Sequence, residues 1–202
     1  MKRIITISRE FGSGGRTIGK GVAEKLGIPC YDHEVIEQLV ERSGFAADYV
    51  KSQSEYAPNG SLFVNALNAG NFHGLSNQDK LWTMQRQIIE ELGEKENCVI
   101  VGRCADYILR DRADCLKVFI TAPYATRVDI IREKYGISTE EAEKTVRKMD
   151  TAREEFYHYY SNGKWRQETD KDIVLNRGLF GISGCVDILE YIYKNGKTGQ
   201  ES

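Results

Sequence analysis

Residues 4–17 read IITISREFGSGGRT, and this stretch decides the fold class that the chain is expected to adopt. Its β-branched start is typical of a buried strand, and three glycines in four residues follow. Apolar residues then recur at helical spacing from Ile18 to Leu26, where Gly27 supplies a stop. Glycines in such a turn let backbone N–H groups point at an anion, and the helix N-terminus adds partial positive charge. The pattern favours a phosphate-binding loop over a tight turn without a ligand.

Short apolar runs alternate with helical patterns along the rest of the chain. Two of these helices are predicted over residues 81–92, ended by Gly93, and over residues 125–135, ended by Gly136. The predicted strands cover residues 3–8, 29–32, 98–103, 116–121 and 173–176. Because these runs are nearly all apolar, we expect each strand to be buried on both faces. Strands that alternate with helices predict an α/β fold, with a parallel sheet covered on both faces by right-handed crossovers.

Two gaps between predicted strands are longer than one crossover helix requires, and each is expected to carry a helical insert. The first insert covers residues 44–77 and the second covers residues 139–166, which opens with a capping box at Ser138 and Glu141. The second insert is polar on nearly every face, which predicts a mobile cover or a partner surface. Residues 195–202 are expected to form a flexible tail on a chain that is otherwise one domain.

Composition excludes several classes of protein. Of 202 residues, 41% are hydrophobic and 29% are charged, which excludes general disorder. Lys and Arg total 28 against 30 Asp and Glu, so there is no basic surplus for nucleic-acid binding. The five cysteines form no C-x-x-C pair and are expected to be reduced. Without a membrane-spanning run or a signal-peptide pattern, we expect a cytoplasmic protein that binds neither membranes nor nucleic acid.

The phosphate-loop spacing G-x-x-x-x-G-K-[ST] can be placed in two registers. Over residues 14–21 it supplies Lys20, but it puts that lysine in the second helical turn, pointing away from a loop-bound phosphate. The register that follows the strand directly places Gly14 at the second glycine, with Arg16 after the lysine position and Thr17 next as the metal-binding hydroxyl. It agrees with a helix that begins near Gly15. In this preferred register Arg9 replaces the first glycine, and Gly15 stands where the lysine is expected.

A dinucleotide site is the competing interpretation of the same loop. Gly12 and Gly14 form half of a G-x-G-x-x-G pattern, and Asp32 follows at the end of a strand, where a ribose-binding acid would lie. The arginine-rich remainder of the sequence favours phosphate chemistry, because hydride transfer does not require it.

Arginines recur at positions that the predicted topology brings towards the loop. Arg103 follows the third strand, and ligands of open α/β sheets bind at the carboxyl ends of strands, which places Arg103 near Asp32 and the glycines. Arg147, Asp150 and Arg153 are spaced three apart in the second insert, and Arg86 lies on the helix before the third strand. Phosphoryl transfer uses such arginines to neutralise charge and to exclude water.

Four segments together resemble the cytidylate kinase-like family, which is related to the nucleoside monophosphate kinases of the P-loop superfamily. They are residues 5–19, residues 31–33, residues 99–106 and the pattern Arg147-x-x-Asp150-x-x-Arg153. The resemblance covers essentially the whole chain. It implies a three-layer P-loop kinase fold with a five-stranded parallel sheet, a monophosphate-binding insert after the second strand and a lid after the fourth.

The resemblance also implies roles for individual residues. The donor phosphates of ATP would lie on the loop, and Thr17 would hold Mg²⁺. Arg103 and Arg86 would bind the acceptor phosphate, with Asp32 near the acceptor hydroxyl or the metal. Arg147, Asp150 and Arg153 would form the lid clamp. The loop residues implied are Gly12, Ser13, Gly14, Gly15, Arg16 and Thr17.

The chain departs from cytidylate kinases at three positions. The loop lysine is absent, Cys104 stands where those enzymes have Asp, and His33 stands where they have Ser. Our hypothesis is that Arg16 supplies the missing positive charge, although its planar fork is not equivalent to a lysine ammonium.

The sequence therefore predicts an ATP- and Mg²⁺-dependent phosphotransferase that acts on a nucleoside monophosphate or a similar small acceptor, as a monomer or homodimer. The alternative is a catalytically weak protein that binds nucleotide and reports it through lid movement. A dinucleotide-dependent oxidoreductase is the third hypothesis.

Overall fold

The structure is a computed structural model that describes residues 4–53, 76–163, 165–166 and 170–196. Its strands form one parallel sheet in the order β2-β3-β1-β4-β5. They are β1 (Ile4–Arg9), β2 (Cys30–Tyr31), β3 (Cys98–Val101), β4 (Cys115–Thr121) and β5 (Ile173–Asn176). This arrangement confirms the predicted α/β class and the five-stranded parallel sheet.

Helices cover both faces of the sheet. They are α1 (Gly15–Leu26), α2 (His33–Ser43), α3 (Ala47–Gln53), α4 (Asn77–Lys95), α5 (Ala105–Ile108), α6 (Tyr124–Tyr135), α7 (Thr139–Ser161) and α8 (Arg177–Asn195). Of the predicted first insert, 44–77, the structure describes α3 and the start of α4, while residues 54–75 lie outside the described ranges. The predicted tail lies outside them beyond Gly196. No helix within the described ranges combines the length and apolar character needed to cross a bilayer.

Alternate residues of β1 contribute to two separate hydrophobic clusters, one on each face of the sheet. Ile4 is fully buried in a cluster with α2 and α4, which supply Leu39 and Ile88 among others. Ile5 and Ile7 are fully buried in a second cluster, with α1 and α8. Because both faces of β1 are buried, isoleucines occupy both alternating sets of positions, and Thr6 and Ser8 are buried with them.

Gly93 does not end a helix, although the glycine after the apolar pattern 81–92 predicted a stop there. The helix α4 continues to Lys95, and Gly93 is buried inside it. A Cβ at this position would lie 2.9 Å from Cδ1 of Ile4, so the missing side chain permits close approach of α4 to β1. In contrast, Gly27 and Gly136 do end helices, in the left-handed conformation, as predicted.

The second insert forms α7, which begins at the predicted capping box of Ser138 and Glu141. The expectation that this helix is polar on nearly every face is wrong. Its Ala142 and Val146 are buried against α6. Farther along, Phe156 and Tyr157 join an aromatic cluster with Phe119 and Trp165. The apolar positions are sparse, and those near the end of the helix also pack on α4, where the Tyr160 ring stacks on Trp82 at 4.1 Å.

Candidate active site

The glycine-rich loop connects the carboxyl end of β1 to the N-terminus of α1. Helix α1 begins at Gly15, as the preferred register requires, and Lys20 is exposed in its second turn. Gly12 and Gly14 have φ angles of 81° and 84°, a region that favours glycine. A Cβ on Gly12 would also lie 2.9 Å from the carbonyl oxygen of Arg127. Both glycines are therefore required by the path of the backbone.

A cavity of about 470 Å³ opens beside this loop, between the start of α1 and the helices α6 and α7. Its volume lies within the range of small-molecule and cofactor sites. Five of the six predicted phosphate-loop residues line it: Gly12, Gly14, Gly15, Arg16 and Thr17. From the other side it is lined by Ile130, Lys134, Tyr135, Thr145, Met149 and Arg153, among others.

Ser13, also predicted to contact phosphate, has its side chain turned into the loop. Its hydroxyl donates a hydrogen bond to the carbonyl oxygen of Glu10 at 2.9 Å, and the residue is fully buried. The Ser13 backbone N–H donates to the same carbonyl at 3.3 Å, so both donors of this residue stabilise the turn, and its contact with phosphate stays a prediction.

Arg16 and Asp32 form an ion pair that joins the first turn of α1 to the end of β2. The Arg16 side chain is 43% exposed and lines the cavity, whereas the Asp32 side chain is 3% exposed. Apart from this pair, neither carboxylate oxygen of Asp32 receives a hydrogen bond from the described residues. The structure thus brings together two predicted site residues that are distant in the sequence.

The donor atoms at this site fit Mg²⁺ bound mainly through phosphates. No group of three or more His, Cys, Asp or Glu side chains suited to a metal occurs within the described residues. Mg²⁺ at phosphoryl-transfer sites commonly uses few protein oxygens, together with substrate phosphates and water. The exposed Thr17 hydroxyl and the Asp32 carboxylate would supply such oxygens. Bound there, Mg²⁺ would neutralise phosphate charge.

A second, smaller cavity of about 40 Å³ adjoins the first, since Arg9 and Arg153 line both. Arg103 lines the small cavity and has a φ of 57°, in a turn at the end of β3. The buried Gln85 holds this turn by donating to the backbone carbonyl of Arg103 at 3.2 Å. The remaining lining includes Gly102, Cys104 and aromatic side chains from α7.

Cys104 does not offset the arginine charge in the small cavity. Burial, and secondarily the nearby Asp106 carboxylate, raise the pKa of the Cys104 thiol well above its ordinary value, so it is neutral at physiological pH. Asp106 is itself paired with Lys171, and both side chains are 1% exposed. The sequence pattern does not single out Lys171, which precedes β5 in a polar stretch.

The two arginines of the predicted lid clamp and Arg86 have different surroundings. Arg153 reaches the site, where its Nη1 donates to the Arg9 carbonyl at 3.1 Å. Arg147 lies outside both cavities, 67% exposed and paired with Glu143. Arg86, predicted to bind the acceptor phosphate, is 57% exposed and paired with Glu90. The clamp role of Arg147 and the acceptor role of Arg86 stay predictions.

Asp150 is the centre of a buried ionic network below the glycine loop. Its Oδ2 accepts from Arg127 Nη1 at 2.6 Å and from Arg166 at 3.0 Å, while its Oδ1 accepts from the Phe11 backbone N–H at 2.7 Å. Arg127 also lies 3.4 Å from Glu10. Sequence reasoning missed Arg127 and Glu10, although Arg127 lies four residues before the buried Ile131, on one helix face.

The structure has a glycine loop between the central strand of a parallel sheet and a helix, and arginines lie at the neighbouring strand ends. These features define the P-loop kinase class. Within this class, the sequence profile of the Cytidylate kinase-like family matches residues 4–178, and the chain belongs to that family.

A named relative agrees with this assignment, and solved structures share the fold. The chain is 29% identical to a cytidylate kinase of Archaeoglobus fulgidus over 194 residues, which cover 92% of this chain and 91% of that protein. An uncharacterized protein from Eubacterium ventriosum has a TM-score of 0.73 at 26% identity, covering 96% of this chain and 99% of that one. A shikimate kinase from Acinetobacter baumannii, in complex with shikimate, shares the fold, with a TM-score of 0.55 at 14% identity over 97% and 96% of the two chains.

Proposed function

We propose that the protein transfers the γ-phosphoryl group of Mg-ATP to a nucleoside monophosphate such as cytidylate, or to a similar small acceptor. The observation that carries this proposal is the pair of adjoining cavities, which share Arg9 and Arg153. One cavity lies on a glycine loop suited to the donor phosphates, and the other is lined by arginines suited to a second anion. The name of the Archaeoglobus fulgidus relative supports cytidylate as the first acceptor to test.

The proposed roles follow from these positions. The backbone of residues 12–17 binds the donor phosphates, and Arg103 binds the acceptor phosphate from the end of β3. Arg153 lies between the two anions on α7, within the proposed lid of residues 139–166. Catalysis then rests on positioning two substrates and on placing positive charge where the transferred group passes. Asp150 acts through the Phe11 backbone, and is therefore a positioning residue.

The direct test is an ADP-release assay with Mg-ATP against a panel of nucleoside monophosphates and small hydroxyl compounds. We expect acceptor-dependent ADP formation, fastest with one pyrimidine monophosphate. Mg-ATP binding in calorimetry without turnover on any acceptor would contradict the kinase and favour the nucleotide-sensing alternative. Binding of NAD(P)H in place of ATP, measured by fluorescence titration, would favour the oxidoreductase.

Arg16→Ala is expected to weaken Mg-ATP binding about tenfold, which corresponds to one hydrogen bond to a charged group. The reason is that Arg16 lines the large cavity beside Thr17. Titration calorimetry would measure the change. Arg42→Ala is the matched control, because Arg42 is 41% exposed and ion-paired, but with Glu91 and outside both cavities. Equal affinities for wild type and Arg16→Ala would remove Arg16 from the donor site.

A further inference from the structure

Arg9 occupies a space that two glycines from different segments leave open. A Cβ on Gly15 would lie 2.6 Å from Cβ of Arg9, so the side-chain stem runs against the first residue of α1. A Cβ on Gly102 would overlap Nη1 of Arg9 and lie 2.9 Å from its Cζ, so the guanidinium lies against the end of β3. Gly102 is fixed beside β1 because its N–H donates to the Ile7 carbonyl at 2.9 Å. The guanidinium therefore has a defined place at the carboxyl ends of two central strands.

This place is the junction between the two cavities. Arg9 and Arg153 line both of them, and Arg103 lines the smaller one. The described residues that line the small cavity include no Asp or Glu. The carboxylate of the adjacent Glu10 is directed to Thr121 and the Ala122 N–H, at 2.6 and 3.2 Å. Among the described residues the large cavity adds one carboxylate, that of Glu10, so the residues around the junction carry an excess of positive charge that suits an anion.

Arg16 has a different position from Arg9. It lines the large cavity but not the small one, and its Nε is engaged by Asp32. A cation in the position of Arg16 can contact the donor nucleotide. The phosphoryl group that moves between the cavities passes closer to the junction, where Arg9 lies. Gly15 stands where P-loop enzymes have a lysine, and the stem of Arg9 packs directly on it.

We propose that Arg9 is a catalytic residue whose guanidinium binds the transferred phosphoryl group at the junction of the two cavities. This inference rests on the proposed function. An ionised phosphate oxygen of the acceptor forms a bond to the γ-phosphorus, while the bond from that phosphorus to the β,γ-bridging oxygen breaks and ADP leaves with the electron pair. Arg9 stays protonated and exchanges no proton. It neutralises charge that spreads over the three equatorial oxygens of the moving group.

Kinetics of Arg9→Ala should separate this role from nucleotide binding. An arginine on the transferred group is worth about 1,000-fold or more in kcat. We therefore expect kcat to fall about 1,000-fold, while the affinity for Mg-ADP changes by less than twofold. Arg16→Ala should show the opposite pattern, in which nucleotide affinity changes more than kcat does. Guanidinium ion added to Arg9→Ala should restore part of the rate, which a purely structural defect would not allow.

Gly102→Ala offers a second approach, because its Cβ would displace the guanidinium without removing its charge. Since the φ of 76° at this position favours glycine, circular dichroism first checks that the variant is folded. We expect a loss of kcat similar to that of Arg9→Ala, and a double variant no slower than Arg9→Ala alone, since both changes remove the same contact. Should Arg9→Ala not fold, Arg9→Gln keeps the stem between the two glycines and carries the same comparison. A kcat within threefold of wild type for the folded Arg9 variant would overturn the proposal.

A binding measurement separates failure of this inference from failure of the kinase itself. In the wild type, contact with the γ-phosphate should give Mg-ATP a tighter dissociation constant than Mg-ADP. Arg9→Ala should abolish that preference, whether or not any acceptor in the panel is turned over. If Arg9→Ala still binds Mg-ATP more tightly than Mg-ADP to the same degree, the proposed role of Arg9 is wrong, even if the protein proves to be an active kinase.

Discussion

Arg103→Ala is expected to raise the KM for the acceptor about 100-fold, with the KM for Mg-ATP unchanged. Arg103 lines the small cavity from the end of β3 and does not line the large one. A bidentate guanidinium contact to phosphate is among the stronger hydrogen-bonded interactions, at about 1.5–3 kcal/mol. Its loss should therefore appear in the acceptor terms of a two-substrate kinetic analysis.

The fold should survive this substitution, because Gln85 holds the turn through the Arg103 backbone carbonyl rather than through the guanidinium. Arg103→Lys keeps the charge without the planar fork and should give an intermediate KM. Arg110→Ala is the matched control, since that guanidinium lies over the Tyr107 ring and outside both cavities. An acceptor KM that stays at its wild-type value in Arg103→Ala would remove this residue from the acceptor site.

Asp150→Ala is expected to lower the free energy of unfolding by about 3 kcal/mol, because it leaves the charge of Arg127 buried without its counter-ion. Arg127 would lose its 2.6 Å contact to Oδ2, and the Phe11 N–H would lose its acceptor. The partner side chain is only 6% exposed, so water cannot replace the lost contacts fully. Glu10, which lies 3.4 Å from Arg127, keeps the loss near the lower end of the range for buried pairs.

Urea unfolding followed by circular dichroism would measure this change. Glu143→Ala is the matched control on the same helix, since its ion pair with Arg147 is exposed and should contribute less than about 0.5 kcal/mol. Asp150→Asn can still accept from Phe11 and should give an intermediate loss. If Asp150→Ala and Glu143→Ala unfold at the same urea concentration, the buried network does not stabilise the fold.

The sequence predicted the sheet and the main turns well because the relevant signals are local. Apolar runs identified all the described strands, and the glycine-rich stretch located the start of α1 at Gly15. Gly93 shows the limit of local signals. A glycine after an apolar pattern predicts the end of a helix, but here it permits contact with Ile4, far away in the chain.

The site was only partly predictable because its geometry depends on contacts between distant segments. From the sequence, Arg9 was simply the residue in place of the first loop glycine. Its path along Gly15 and Gly102 exists only once β1 and β3 pair in parallel. Likewise, Asp150 has the spacing of a clamp residue, but pairing with Arg127 directs it beneath the loop.

The central position of β1 has a consequence for the order in which the chain folds during synthesis. The two neighbours of β1 are β3 and β4, so Ile4 pairs with Cys98 and Cys115, and β2 also pairs with β3. Within the described strands, no pairing can begin until β3 has left the ribosome, on the order of ten seconds after β1 at about 5–20 residues per second. During that interval the apolar residues of β1 have no sheet partner, and an unpaired apolar strand is the kind of segment through which nascent chains aggregate.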